Sequence, residues 1–179
     1  MYPLFKQCDP AWGDNPLGVS GDRTVCQSGC LVSSVAMALN DCSIMLPVNE
    51  EELAANPGTL NSWLKVNNGF EDGFGFNWTS IDTLGFVWEK FSQNATELQE
   101  AHDMDKKIFL HVRNLDHYVL MTGYSKGSLP NNLDSVFFVN DPNHDVNYYT
   151  ATEVIKGEAS IYTVNETITC HTNTTRTLY

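Results

Sequence analysis

Basic residues are scarce in this chain. Across 179 residues, 10 lysines and arginines stand against 22 aspartates and glutamates, for a formal net charge of −12 and an isoelectric point of about 4.6. Such a chain cannot neutralise a run of phosphates, which excludes nucleic acid as a partner. It also disfavours adsorption to an anionic membrane surface. Long apolar runs are missing too: none approaches the ~20 residues of a membrane-spanning helix. The first residues, MYPLFKQ, lack the charged-then-apolar layout of a signal peptide. Either the chain is not exported by that route or the signal is missing from this form. There is no internal repeat. No Cys-x-x-Cys or His-x-x-x-His spacing occurs, so zinc is not indicated and no metal or organic cofactor is implied.

What remains is an ordinary globular composition, 42% hydrophobic and 18% charged, of a length that suits one domain with a sizeable core. Five cysteines are present: Cys8, Cys26, Cys30, Cys42 and Cys170. If Cys30 is set aside, the other four allow two disulfides with three possible pairings. Glycosylation acceptor triplets begin at Asn77, Asn94, Asn165 and Asn173. Paired cysteines, acidic charge and these triplets together favour an extracellular or secreted setting.

Cys30 stands in QSGCLVSSVAMAL, where a loop becomes a helix. Gln27, Ser28 and Gly29 form turns, whereas Leu31, Val35, Ala38 and Leu39 recur at helical spacing. A thiol on the first turn of a helix faces unpaired backbone N–H groups and the positive end of the dipole, which favour a thiolate. The alternatives are a nucleophile and a buried or disulfide-bonded structural cysteine. The segment by itself does not choose between them.

Residues 1–29 are loop-rich. The helix from Cys30 to Asn40 is followed by an expected short acidic helix over 47–56, closed by Asn56-Pro57-Gly58. Thr59 is expected to cap another helix, LNSWLKVN, which Asn67-Asn68-Gly69 ends. Aromatic and glycine residues from Phe70 to Trp78 suit a groove lining or a packed loop. Strands are expected at Lys107–Val112, His117–Tyr124, Ser135–Asp141 and around Ala159–Val164. Helices first and antiparallel strands afterward give an α+β domain over 1–165. Residues 166–179 form a threonine-rich tail or the start of a linker.

A cysteine nucleophile requires an imidazole base and an acceptor that orients it. Of five histidines, His102 and His144 read as solvated loop residues, His171 lies in the tail, and His111, ending a strand, reads as a partly buried core histidine. His117 opens a strand after a turn. Pro142 stops the strand that carries Asp141. If those two strands are antiparallel neighbours, His117 and Asp141 lie side by side. Cysteine on a helix, with histidine and aspartate on a sheet, is the papain-type arrangement.

Five segments then resemble one family in its own order: KQCDPAWG with LG after it, SGCLVSSVAMAL, PGTLNSWLKVNNGF followed by Trp78, LDHYVLMTGY, and FFVNDP. They span most of residues 4 to 142. The chain is similar to papain-like cysteine peptidases related to the bacteriocin-processing domain of ABC exporters (family thirty-nine), and above all to stand-alone domains of phage lysins and secreted cell-wall hydrolases. The resemblance implies a nucleophile helix packed on an antiparallel sheet. It gives Cys30 as nucleophile, His117 as base and acid, Asp141 as orienter, and Gln7 as an oxyanion-hole donor beside the Cys30 N–H. Trp12 is expected to anchor the core. The Leu31–Ser34 run is a variant of the family's small-residue run, and Cys8 and Cys26 are less usual in it. Cys8 with Cys26 and Cys42 with Cys170 is the preferred pairing.

The expected activity is extracytoplasmic hydrolysis of a peptide or amide bond, with peptidoglycan-like peptide as the favoured substrate. An acyltransferase would use the same triad. The alternative of a different class is a non-catalytic structural or binding module of the same fold in an extracellular assembly, with further domains or partners attached.

Overall fold

A computed structural model describes residues 2–92, 94–113, 116–155, 158–164 and 170. In chain order the elements are α1 (Val25–Ser28), α2 (Cys30–Asp41), β1 (Met45–Val48), β2 (Glu51–Ala54), α3 (Pro57–Val66), β3 (Phe70–Glu71) and β4 (Gly75–Phe76). A 3-10 turn over Trp78–Leu84 follows, then β5 (Phe86–Ser92), α4 (Ala95–Asp103), β6 (Lys107–Val112), β7 (His117–Ser125), β8 (Val136–Asn140), β9 (Tyr148–Thr150), α5 (Ala151–Val154) and β10 (Glu158–Val164). The fold is α+β. Its main sheet is antiparallel throughout, in the order β5-β10-β6-β7-β8-β9.

Strand alternation sorts the core into two clusters, one on each face of the sheet. Phe109 and Leu120, partners across β6 and β7, pack with Val32, Val35, Met37 and Leu39 of α2. Ile108, Leu110, Val112, Val119 and Met121 pack with Leu98 of α4 and Val154 of α5. Burying a Val, Leu or Met side chain stabilises by about 1.5–3 kcal/mol, so α2 is held to the sheet mainly by its apolar face. The Ser34 hydroxyl adds a bond to the Tyr118 carbonyl at 3.4 Å.

Two expectations for residues 47–59 are corrected. Residues 45–54 form a hairpin, not an acidic helix, because Asn49 and Glu50 both adopt positive φ, 51° and 68°. That pair makes the mirror-image turn that suits hairpins, and it lets buried Leu46 sit opposite Leu53. The cap of α3 is Asn56, not Thr59. Asn56 accepts from the Thr59 N–H at 3.0 Å while Thr59 reciprocates at 2.9 Å, and Pro57 opens the helix. Proline suits that first position because no partner for its missing N–H is needed.

β5 and α4 are additions to the sequence picture. Both carry signals: Gly85 at φ 86° before FVWEKFS, and Asn94 accepting from the Thr96 and Glu97 N–H groups. Asn77 likewise caps the 3-10 turn, so these two acceptor asparagines both serve local structure. Asn165, Asn173, His171 and the tail other than Cys170 lie outside the described residues.

Cys8 pairs with Cys26 and Cys42 with Cys170, leaving Cys30 as the free thiol. The second bridge spans 128 residues and ties position 170 to the end of α2. Loops of that length gain most from cross-linking. The unreduced, denatured protein should therefore titrate as a single thiol with a chromogenic disulfide reagent. Cys42→Ser with Cys170→Ser should lower unfolding free energy by about 2–5 kcal/mol in denaturant titrations.

Candidate active site

Cys30 is the first residue of α2, and a short helix prepares it. Thr24 and Gln27 form a capping box at the start of α1, which fixes the approach. Gly29 then donates its N–H to the Val25 carbonyl at 2.7 Å. A Cβ on Gly29 would run into that carbonyl, so only glycine lets one helix end and the next begin here. The first helical N–H groups, from Cys30 to Val32, have no intrahelical acceptor. These three residues line a cleft of about 670 Å³.

His117 and Asp141 come from the sheet. β7 and β8 are antiparallel neighbours with Leu120 opposite Asn140. One further step sets Asp141 against Val119, making His117 its diagonal neighbour on the same face. The His117 Nε2 lies 2.7 Å from Asp141 Oδ1. Both are buried, at 5% and 1% exposure. The Cys30 thiol lies near enough to the same imidazole to favour its charged form, and Nδ1 is the ring nitrogen not engaged by Asp141. The structure therefore brings the three residues together in the order Cys30, His117, Asp141.

Electrostatics follow from this arrangement. Burial alone would lower the His117 pKa, but the hydrogen bonds and charges of Asp141 and Cys30 outweigh it and push it up to about 9. Burial likewise works to raise Asp141. The His117 ring and the backbone N–H groups of His144 and Asn143, at 2.8 and 2.9 Å, hold its carboxyl at about 2 instead. Its other oxygen accepts from the Tyr149 hydroxyl at 2.8 Å, and that hydroxyl accepts from Arg113 Nε at 3.0 Å. Burial and the nearby Asp141 push Tyr149 up to about 12, so it remains a donor.

Gln7 reaches the cleft from the N-terminal segment and is 3% exposed. Its side-chain amide donates to the Cys26 carbonyl, leaving a second N–H on the same nitrogen. Its backbone N–H donates to the Pro142 carbonyl at 2.8 Å. Lys6 Nζ donates to the Asp141 and His144 carbonyls at 3.2 and 2.8 Å. Trp12 packs against the core and donates to the Lys6 carbonyl at 2.8 Å.

Two histidines, His144 and His102, are placed differently from the sequence expectation, while His111 is partly buried on its strand as expected. His144 is not merely solvated: its ring meets His117 edge-on at 5.0 Å, and it lines the cleft. His111 faces the cleft and stacks on Tyr118 at 4.1 Å. His102 lies in α4, half-buried against Tyr124. Tyr149, Arg113 and Arg23 were outside the sequence reasoning. The strand signal in NYYTATE would have found only Tyr149.

No family model matches the chain, and no curated protein matches it.

The two shifted pKa values give a signed pH dependence. His117 is raised from 6.5 to about 9, so its contribution to stability is complete below pH 6.5 and lost as pH rises toward 9. Asp141 is lowered from 3.8 to about 2, so its contribution is present above pH 3.8 and lost as pH falls toward 2. In urea titrations, the stability gap between the native protein and His117→Gln should close between these upper limits. The gap to Asp141→Asn should close between the lower ones. A gap independent of pH would contradict the assigned pairing.

Proposed function

We propose that this protein is a papain-like thiol hydrolase that cleaves a peptide or amide bond outside the cytoplasm. The supporting observation is a buried imidazole held 2.7 Å from a buried carboxylate, in one cleft with the one free thiol at the start of a helix. A purely structural module needs none of this. Satisfying a buried histidine takes one acceptor, not a thiol opening onto a cleft. The two disulfides fit an oxidising compartment. Peptide of the cell wall is the favoured substrate, on the resemblance of the five sequence segments to secreted cell-wall hydrolases.

In this reading the Cys30 thiolate, paired with protonated His117, attacks the acyl carbon. The developing oxyanion is received by the Cys30 N–H and the second side-chain N–H of Gln7. His117 gives its proton to the leaving amine, then takes one from water as the acyl-enzyme is hydrolysed. Asp141 keeps the ring oriented throughout, and Tyr149 holds Asp141.

Alkylation of the native protein by iodoacetamide at pH 6 should single out Cys30, and His117→Ala should slow it sharply. Against stem peptides released from cell-wall material, His117→Ala should reduce turnover by roughly 10²- to 10⁴-fold. Cys30→Ala should fold and be inactive. Uniformly slow labelling of Cys30 at pH 6 would favour the non-catalytic module instead.

A further inference from the structure

The chain has three arginines, Arg23, Arg113 and Arg176, among its 22 acids. Two of them, Arg23 and Arg113, line the cleft that contains Cys30 and His117. Their placement contrasts with that of the lysines. Lys6, Lys106 and Lys107 each pair with an aspartate or glutamate. Among the described residues, neither Arg23 nor Arg113 forms an ion pair with a carboxylate.

The two stand on different walls. Arg23 belongs to the loop before α1, where its carbonyl accepts from the Leu17 N–H at 2.7 Å. Arg113 follows the end of β6, next to Val112, the partner of His117. Arg113 is also held in place: its Nε donates to Tyr149, its guanidinium lies 5.9 Å from that ring, and its backbone is left-handed at φ 53°. Its Nε is engaged by Tyr149, and among the described residues no hydrogen bond holds its two terminal nitrogens. A planar guanidinium with two parallel N–H groups matches a carboxylate. Asp116 also lines the cleft, so the lining carries one more fixed positive charge than negative, in a chain of net charge −12.

We infer that the cleft selects peptides carrying carboxylate side chains, one received by Arg23 on one wall and one by Arg113 on the other. The inference rests on the hydrolase reading above and specifies its substrate class.

The test uses a degenerate hexapeptide library, N-acetylated and C-terminally amidated so that only side chains carry carboxylates. Glutamate is fixed at one position at a time and compared with glutamine at the same position, with cuts located by mass spectrometry. The expected result is a preference for glutamate of roughly tenfold at two positions, the scale of a charge-assisted contact. That ratio should shrink in high salt. Arg23→Gln should bring it to about one at a single position, and Arg113→Gln at the other. Each ratio is read within one variant, so a general loss of rate does not affect it. Glutamate-to-glutamine ratios near one everywhere would overturn the inference and leave the hydrolase reading standing. So would an uncut library with Cys30 still selectively alkylated at pH 6. An uncut library with an unreactive Cys30 would overturn both.

Discussion

A carboxylate at 1% exposure is tolerable only if its acceptor positions are filled, because an uncompensated buried charge costs several kcal/mol. Asp141 meets that condition with donors from four places: the His117 ring, the Asn143 and His144 amides, and the Tyr149 hydroxyl. Most of the local architecture serves this. β8 has to end at Asn140, the chain has to turn at once through Pro142 to present two amides, and β9 has to return alongside β8 to supply Tyr149. Tyr149, in turn, determines where Arg113 can sit. Removing any one donor would leave part of a buried negative charge unsatisfied. The cost would fall on His117, whose raised pKa depends on that charge.

The cleft also depends on segments far apart in the chain. The N-terminal segment crosses the end of the sheet, bonded through Gln7 and Lys6 to residues 141–144 and through Asn140 to the Pro3 carbonyl. The Cys8–Cys26 bridge and the Gln7 amide fix that segment to the turn before Cys30. Cys30 and His117 therefore approach each other through two independent supports. One is the packing of α2 on Phe109 and Leu120 within the core. The other is the strap of residues 3–8 between the helix mouth and the sheet end. This strap gives Gln7 a reason to be buried that does not depend on any substrate.

Where local chemistry decides structure, the sequence was legible. The turn-to-helix change at Gly29-Cys30, the apolar runs of β6 and β7, and the stop imposed by Pro142 each act within a few residues. The neighbourhood of His117 and Asp141 needed only the assumption that β7 and β8 are adjacent. The hairpin over 45–54 was not legible, because its turn depends on Asn49 and Glu50 accepting positive φ, which glutamate seldom does. Nor were His111 and His144. Side-chain type says nothing of which residues a six-stranded sheet turns toward one cleft, and both depend on register with β7 or on the loop after β8. Tyr149 became important only through pairing of β8 with β9, a contact set by tertiary packing.

Charge imposes a last constraint on how such a cleft would recognise an acidic ligand. A surface of net charge −12 repels an approaching carboxylate, and at physiological salt that repulsion fades beyond a screening length of roughly 8 Å. The two guanidiniums act inside that distance, at contact, where a bidentate bond replaces water on both partners. Long-range steering therefore opposes association, while short-range fit favours retention. In this arrangement selectivity lies in how slowly an acidic peptide leaves rather than in how fast it arrives. Anchoring Arg113 on Tyr149 strengthens retention further, since a side chain already held by one bond loses less freedom when it binds. The same tyrosine holds Asp141, so one hydroxyl joins the residue that would receive the ligand to the residue that orients the base.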